Sequence, residues 1–245
     1  MSIESIKIKT IQQVDTILAS TDTLLGTFQT LLDTHFSVAS SPSQLEQTYE
    51  ATLSTSPDAI NAPLIAALSH YKDLLATTIS HIQLLERYII VHIPKMEDGN
   101  NFGVTVQMTV SKALQETRTS LLSKMDSITT YYKDRADVVD KLGLVKVTKT
   151  TSKVSSEIDS TKEDEKKQSS TLSSDEKTVE VQDKVTPFRM MHLVAMDVAA
   201  FYKAKAGVED SFNEFIMVLD NVEKNKSKLT TPKGSGGGRP HMGMY

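Results

Sequence analysis

Apolar residues recur at intervals of three and four along four separate stretches of the chain, the spacing that lays a single stripe on an α-helix. The first stretch runs from Ile3 to Phe36 through Ile11, Val14, Leu18, Leu25, Phe28 and Leu32. The second runs from Ala59 to Ile93 through Leu64, Leu68, Tyr71, Leu75, Ile82, Leu85 and Ile89. The third begins near Val104 and reaches Val139 through Leu114, Leu121, Met125, Ile128 and Tyr132. The fourth runs from Pro187 to Glu223 through Met191, Ala195, Val198, Phe201, Val208, Phe212, Phe215, Leu219 and Val222. Each predicts a helix of about 45–55 Å at 1.5 Å per residue, far beyond the mean helix of a globular protein. Four long amphipathic helices of similar length predict an all-α fold, an antiparallel four-helix bundle.

Stop and start signals agree with this division. Asn61, or Ser56 and Asp58, suit the N-cap of the second helix, with Pro63 in its first turn. Thr186 before Pro187 has the same form for the fourth. Adjacent leucines (Leu24-Leu25, Leu31-Leu32, Leu74-Leu75, Leu84-Leu85, Leu121-Leu122) widen the apolar faces beyond the three positions in seven that a lone bundle needs. Two readings of that surplus stay open: a second packing surface, hence an oligomer, or a thicker core.

The connecting segments differ in kind. The expected organisation is helix 1 over 1–36, a linker over 37–58, helix 2 over 59–93, a shaped loop over 94–103, helix 3 over 104–140, a charged insertion over 141–186, helix 4 over 187–228 and a tail over 229–245. Residues 37–57 are serine-rich and carry Pro42 and Pro57, so a partly ordered connection is expected. Between Val154 and Leu172 almost no large apolar residue occurs, and lysines give way to acids. Such a segment lacks the apolar surface to offset ordering entropy and is expected to be disordered, a solvated insertion or an interaction loop. The tail contains Gly234-Ser-Gly-Gly-Gly238, a flexible run that an engineered linker would also produce.

Composition removes whole classes of function. The chain of 245 residues has no cysteine, which excludes a disulfide framework, a thiolate zinc site and a cysteine nucleophile. Its net charge of −4 argues against a basic face for nucleic acid. No stretch is apolar for long enough to span a bilayer, and Met1-Ser2-Ile3-Glu4 has no basic start leading into an apolar core, so neither a membrane partner nor a secretory leader is expected. A cytoplasmic or nuclear setting fits. No nucleophile elbow or phosphate-binding glycine loop occurs. The histidines are His35, His70, His81, His92, His192 and His241, and none completes a Glu-x-x-His or His-Glu-x-x-His pattern. His81 and His92 share a helix face but stand three turns apart, too far for one metal. No catalytic residue, metal or cofactor is expected, and the chain reads as a binding protein rather than an enzyme.

One segment is not generic. In the run from Ile93 to Gln107, IPKMEDGNNFGVTVQ, Pro94 drives Ile93 out of the helical region, Gly99 and Gly103 permit positive φ, and Asn100 and Asn101 tolerate the left-handed region. Phe102 stands as an apolar plug among them. By its residues alone this is a shaped helix connection or a functional loop. The run closely resembles the activation loop of the 11S (REG-type) proteasome activators, which joins helices two and three of a four-helix subunit. The terminal Gly243-Met244-Tyr245 resembles that family's tail more weakly. The resemblance implies a ring of seven identical subunits that opens the gate of the proteasome core particle without ATP. It implies that Glu97, Asp98, Gly99, Asn100, Asn101, Phe102 and Gly103 form the gate-opening loop. It implies that the tail, with Met244, Tyr245 and the terminal carboxylate, anchors in pockets between the core's α-subunits. The long insertion over 141–186 departs from the family's pattern. The competing expectation is a helical scaffold or membrane-surface protein, although helices one and two are rich in Ser and Thr and poor in the lysines such a surface wants.

Overall fold

Ser20 interrupts the first expected helix. Its hydroxyl turns back onto the carbonyls of Thr16 and Ile17 at 2.8 and 3.2 Å, and Thr21 does the same to Leu18 at 2.9 Å. Side-chain bonds of this kind compete with helical continuation, and Ser20 leaves the helical region at φ −104°, ψ 15°. The computed structural model describes residues 2–37, 41–55, 60–95, 102–141 and 187–232. Six helices occupy them: α1 (Ile3–Ala19), α2 (Thr21–His35), α3 (Pro42–Thr55), α4 (Ala62–Ile90), α5 (Phe102–Lys141) and α6 (Pro187–Thr230). No strand occurs among the described residues. Of the expected insertion over 141–186 only Lys141 is described, as the last residue of α5; the rest of it and the Thr186, Ser56 and Asp58 caps lie outside the described residues.

Helix α3 corrects the linker expected over 37–58. Ser41 and Gln44 cap it reciprocally: the Gln44 amide donates to the Ser41 hydroxyl at 3.4 Å, and the Ser41 amide donates to Gln44 Oε1 at 3.1 Å. Pro42 takes the first helical position, where its missing N–H is harmless. Leu45, Tyr49 and Leu53 then fall on one face at four-residue spacing, are buried, and pack α3 on α6. Of the caps expected for α4, Asn61 serves, its Oδ1 accepting from the Leu64 amide at 3.3 Å.

Pairings along the helices give their directions. Asp15 meets Lys226, Phe28 meets Phe215 and Phe36 meets Phe201, so α1 and α2 run against α6. Gln107, Ser120 and Tyr131 meet Leu229, Glu214 and Asp197 in turn, so α5 also runs against α6. Asn61 and Tyr71 meet Asp197 and Ser211, so α4 runs with α6. The result is an elongated bundle in which α1 and α2 together supply one of its four long rods and α3 covers α6 at one end. The core is continuous along its length, from Phe36 and Leu53 past Leu75 and Phe215 to Leu85, Leu114 and Leu229. Each fully buried side chain of this size contributes about 1.5–3 kcal/mol.

Most of the surplus leucine is absorbed by this core. Leu31, Leu75, Leu85 and Leu121 are buried, and Leu24, Leu25, Leu32, Leu74 and Leu84 pack against them. Leu122 remains exposed, as do Ile216 and Met217 on α6.

The end that carries α3 is pinned by polar groups. Asp197, wholly buried, accepts from the Tyr131 hydroxyl at 2.9 Å, from Arg135 Nε at 3.0 Å and from the Asn61 amide at 3.3 Å. Four helices meet there, since burial first, and then the Asp197 charge, against the opposing bond to Asn61, push the Tyr49 phenol up to about 12.

Candidate functional site at the opposite end of the bundle

Helix α4 ends where Pro94 predicts. The His92 amide reaches back to the Ile89 carbonyl at 3.0 Å and the Ile93 amide to Ile90 at 3.3 Å, tight closing turns ahead of a residue without an N–H. His92 Nδ1 lies 2.7 Å from the Tyr88 carbonyl, and its ring sits 4.6 Å from that of Tyr88. Helix α5 begins at Phe102. Of the expected loop residues, Glu97, Asp98, Gly99, Asn100 and Asn101 lie outside the described residues, as do Gly243, Met244 and Tyr245 of the tail. Phe102 and Gly103 lie within them.

Both depart from expectation. Phe102 is not a plug: its side chain is 64 % exposed, and Ile90, Ile93 and Met108, around the same helix ends, are exposed as well. The stem of the loop therefore carries exposed apolar side chains. Gly103 is helical rather than in the positive-φ region. Its requirement for glycine is spatial. A methyl group placed on it would overlap the Pro232 carbonyl and lie 2.5 Å from the Pro232 Cα. Pro232 follows the last turn of α6, so the base of the tail crosses directly over the start of α5.

Gln107 completes this junction. Its carboxamide is wholly buried and donates to the His92 carbonyl at 3.1 Å and to the Leu229 carbonyl at 2.7 Å. One side chain thus joins the exit of α4, the first turns of α5 and the last turn of α6. Its Oε1 is buried without a partner among the described residues. The loop stem and the tail base, expected from the sequence as separate features, occupy one end of the molecule and touch.

Gln107 stands at the edge of the run from Ile93 to Gln107 but was not among the expected site residues. A signal was present. The buried stripe of α5 reads Gly103, Gln107, Val110, Leu114, Thr117, Leu121, and Gln107 is a carboxamide set where the rhythm calls for an aliphatic residue. Lower on the same helices, Glu86 accepts from Arg118 at 2.9 Å, and Glu214 accepts from Ser120 and Lys124, both at 2.8 Å. These pairs set the register of α5 against α4 and α6.

His35, His70, His81 and His92 each pack against an aromatic neighbour. His81 stacks on Phe215 with centroids 6.4 Å apart, and burial lowers its pKa. His35 and His70, distant in sequence, come together at 4.8 Å across α2 and α4. Among the described residues no three His, Asp or Glu side chains group as metal ligands, and no helix is long and apolar enough to cross a membrane.

Comparison with known proteins bears on this end directly. Residues 59–162 match the family model of the proteasome activator PA28 C-terminal region, a span that holds α4, the loop and α5. Over 82 residues the chain is 30 % identical to the human proteasome activator complex subunit 3, and equally to the mouse and chicken proteins. That alignment covers 34 % of this chain and spans about a third, 32 %, of the curated relatives' length. The fold is shared more widely. The 11S subunit PA28 of the Plasmodium falciparum proteasome superposes with a TM-score of 0.60 at 20 % identity, over 94 % of this chain and 92 % of that one. A chain of an archaebacterial 20S proteasome–PA26 complex superposes at 0.54 and 16 % identity, over 98 % and 94 %. The chain thus has the helical fold of these 11S subunits, and its residues 59–162, which hold the two helices that flank the loop, are similar to the C-terminal region of the PA28 proteasome activators.

Proposed function

We propose that this protein is an ATP-independent activator of the proteasome core particle, acting as a ring of identical subunits, seven in number, in the cytoplasm or nucleus. The tail ending in Gly243-Met244-Tyr245 binds the core's α-subunits, and the loop Glu97 to Gly103 moves the gate. The ring does no chemistry itself. The observation that carries the reading is the junction at Gln107, Gly103 and Pro232, which gathers loop stem and tail base on one end of the subunit. A protein that binds through one element and acts through another on the same target needs both on one face.

The energetic division follows. Each tail alone is weak, because ordering a glycine-rich segment costs conformational entropy. A ring presents many tails at high effective concentration, so avidity makes the complex. The loop must favour the open gate over the closed one, since a ligand indifferent to two states shifts neither. The exposed side chains of Ile90, Ile93, Phe102 and Met108 supply apolar surface for that contact.

The test is fluorogenic peptide hydrolysis by purified 20S core with and without this protein, together with sizing of the free protein. Stimulation of at least about tenfold, which corresponds to roughly 1.4 kcal/mol in the gating equilibrium, and a ring of about seven copies are expected. No stimulation at saturating ring concentration would reject the reading.

A further inference from the structure

We propose that Gln107 is a positioning residue that couples docking of the tail to the stance of the loop, an inference that rests on the activator reading above. Its two hydrogen bonds go to backbone oxygens at two different helix ends. His92 follows α4 and leads toward the loop, whereas Leu229 lies in the last turn of α6 and leads into the tail. The final carbonyls of a helix have no partner within it, and when buried they need a donor from elsewhere. A primary carboxamide carries two N–H groups on one nitrogen, and Gln107 directs them to the His92 carbonyl just past α4 and the Leu229 carbonyl in the last turn of α6. Gln107 and Leu229 are both without exposed surface, so solvent does not stand in for the amide.

The backbone apposition of Gly103 and Pro232 adds a second tie a turn away on α5. The loop therefore springs from two points, Ile93 and Phe102, that are both fastened to the end of α6. When the tail is drawn into its pocket, the base at Leu229 and Pro232 carries the loop stem with it. A loop held at a set height above the bundle end does work on the gate. On a slack stem the loop yields instead, and the differential contact that favours the open state is lost.

Gln107→Leu keeps the approximate volume and the helix propensity but removes both donors. The full-length variant ring is sized by sedimentation, then titrated against 20S core with a fluorogenic peptide, reading half-saturating concentration and plateau separately. Hydrogen exchange of the free ring is followed over residues 90–95 and 229–232. The expected result is an unchanged ring mass, a half-saturating concentration within about twofold of wild type, a plateau lowered about fivefold or more, and faster exchange in both segments together. A wild-type plateau overturns the proposal. So does a smaller ring mass with plateau and affinity lost in parallel, because that marks a merely structural role. If the wild-type ring itself does not stimulate the core, the activator reading fails on its own terms, and the exchange data still decide the coupling. Faster exchange in both segments upholds it, and faster exchange in one or neither overturns it.

Discussion

Arg135 holds both oxygens of Asp197, its Nε 3.0 Å from Oδ1 and its Nη2 3.4 Å from Oδ2, at a carboxylate with no exposed surface. The pair joins α5 to the first turns of α6, and Asn61 and Tyr131 complete the carboxylate's shell. The nearest end of α6 is also tied by Arg189, which donates to the Lys141 carbonyl. Both contacts bring together the helix ends that bound the segment between α5 and α6.

Arg135→Met leaves Asp197 with neutral donors only. Removing one partner of a buried pair costs about 3–5 kcal/mol, and urea unfolding of the variant protein should show a loss in that range. Arg135→Met combined with Asp197→Asn should recover most of it, since no buried charge is then uncompensated. A single-variant loss under about 1 kcal/mol would mean that Asp197 is held adequately by Tyr131 and Asn61.

Gly207 is a packing requirement of a different kind. A methyl there would lie 2.8 Å from the Tyr71 hydroxyl and 3.3 Å from two ring carbons. Alanine gains about 1 kcal/mol in helix propensity over glycine, but Tyr71 is buried and its hydroxyl is held 3.1 Å from Ser211 Oγ. Overpacking a rigid ring costs about 1–3 kcal/mol, so Gly207→Ala should be net destabilising by thermal unfolding. Adding Tyr71→Phe should reverse the sign, because the obstructing oxygen is gone and Ser211 keeps its bond to the Gly207 carbonyl at 2.7 Å. Additive effects of the two substitutions would refute this account.

His81 gives a pH dependence. Burial against Phe215 depresses its pKa below the ordinary 6.5. Between the folded value and 6.5 the unfolded chain binds a proton that the folded chain does not, so this contribution to stability is complete above 6.5 and falls as pH drops through that value. Urea midpoints measured from pH 8 to 5 should decline below neutrality, and His81→Gln should flatten the decline. An identical slope in the variant would assign the effect to other groups.

Tail and loop should separate as binding and opening. Removing Met244 and Tyr245 should leave the ring intact and abolish stable association with the 20S core in co-sedimentation. Asn100→Tyr, which places a bulky side chain between Gly99 and Asn101, should leave assembly and binding near normal, stimulate little, and compete with the wild-type ring. A truncated ring that co-sediments as well as wild type, or an Asn100→Tyr ring that stimulates fully, would each refute the corresponding assignment.

The helical rhythm of the sequence determined the all-α class, the approximate extent of the four long rods, and the stop at Pro94, because each rests on interactions between residues three or four apart. The same local logic holds at Ser41-Pro42-Ser43-Gln44, whose reciprocal cap and Leu45/Tyr49/Leu53 stripe define α3 within a serine-rich stretch. Ser20 and Thr21 carried the break between α1 and α2 in hydroxyls that turn back on their own helix. Other features were decided only by the tertiary structure. Gly103 needs glycine because Pro232, more than a hundred residues away, crosses it. Gln107 is polar in an apolar stripe because two helix ends present carbonyls to it. Asp197 is buried because Arg135, Tyr131 and Asn61 converge on it. Each of these depends on a partner outside its own helix, and only the packing of α4, α5 and α6 brings the stem of the loop and the base of the tail to one end.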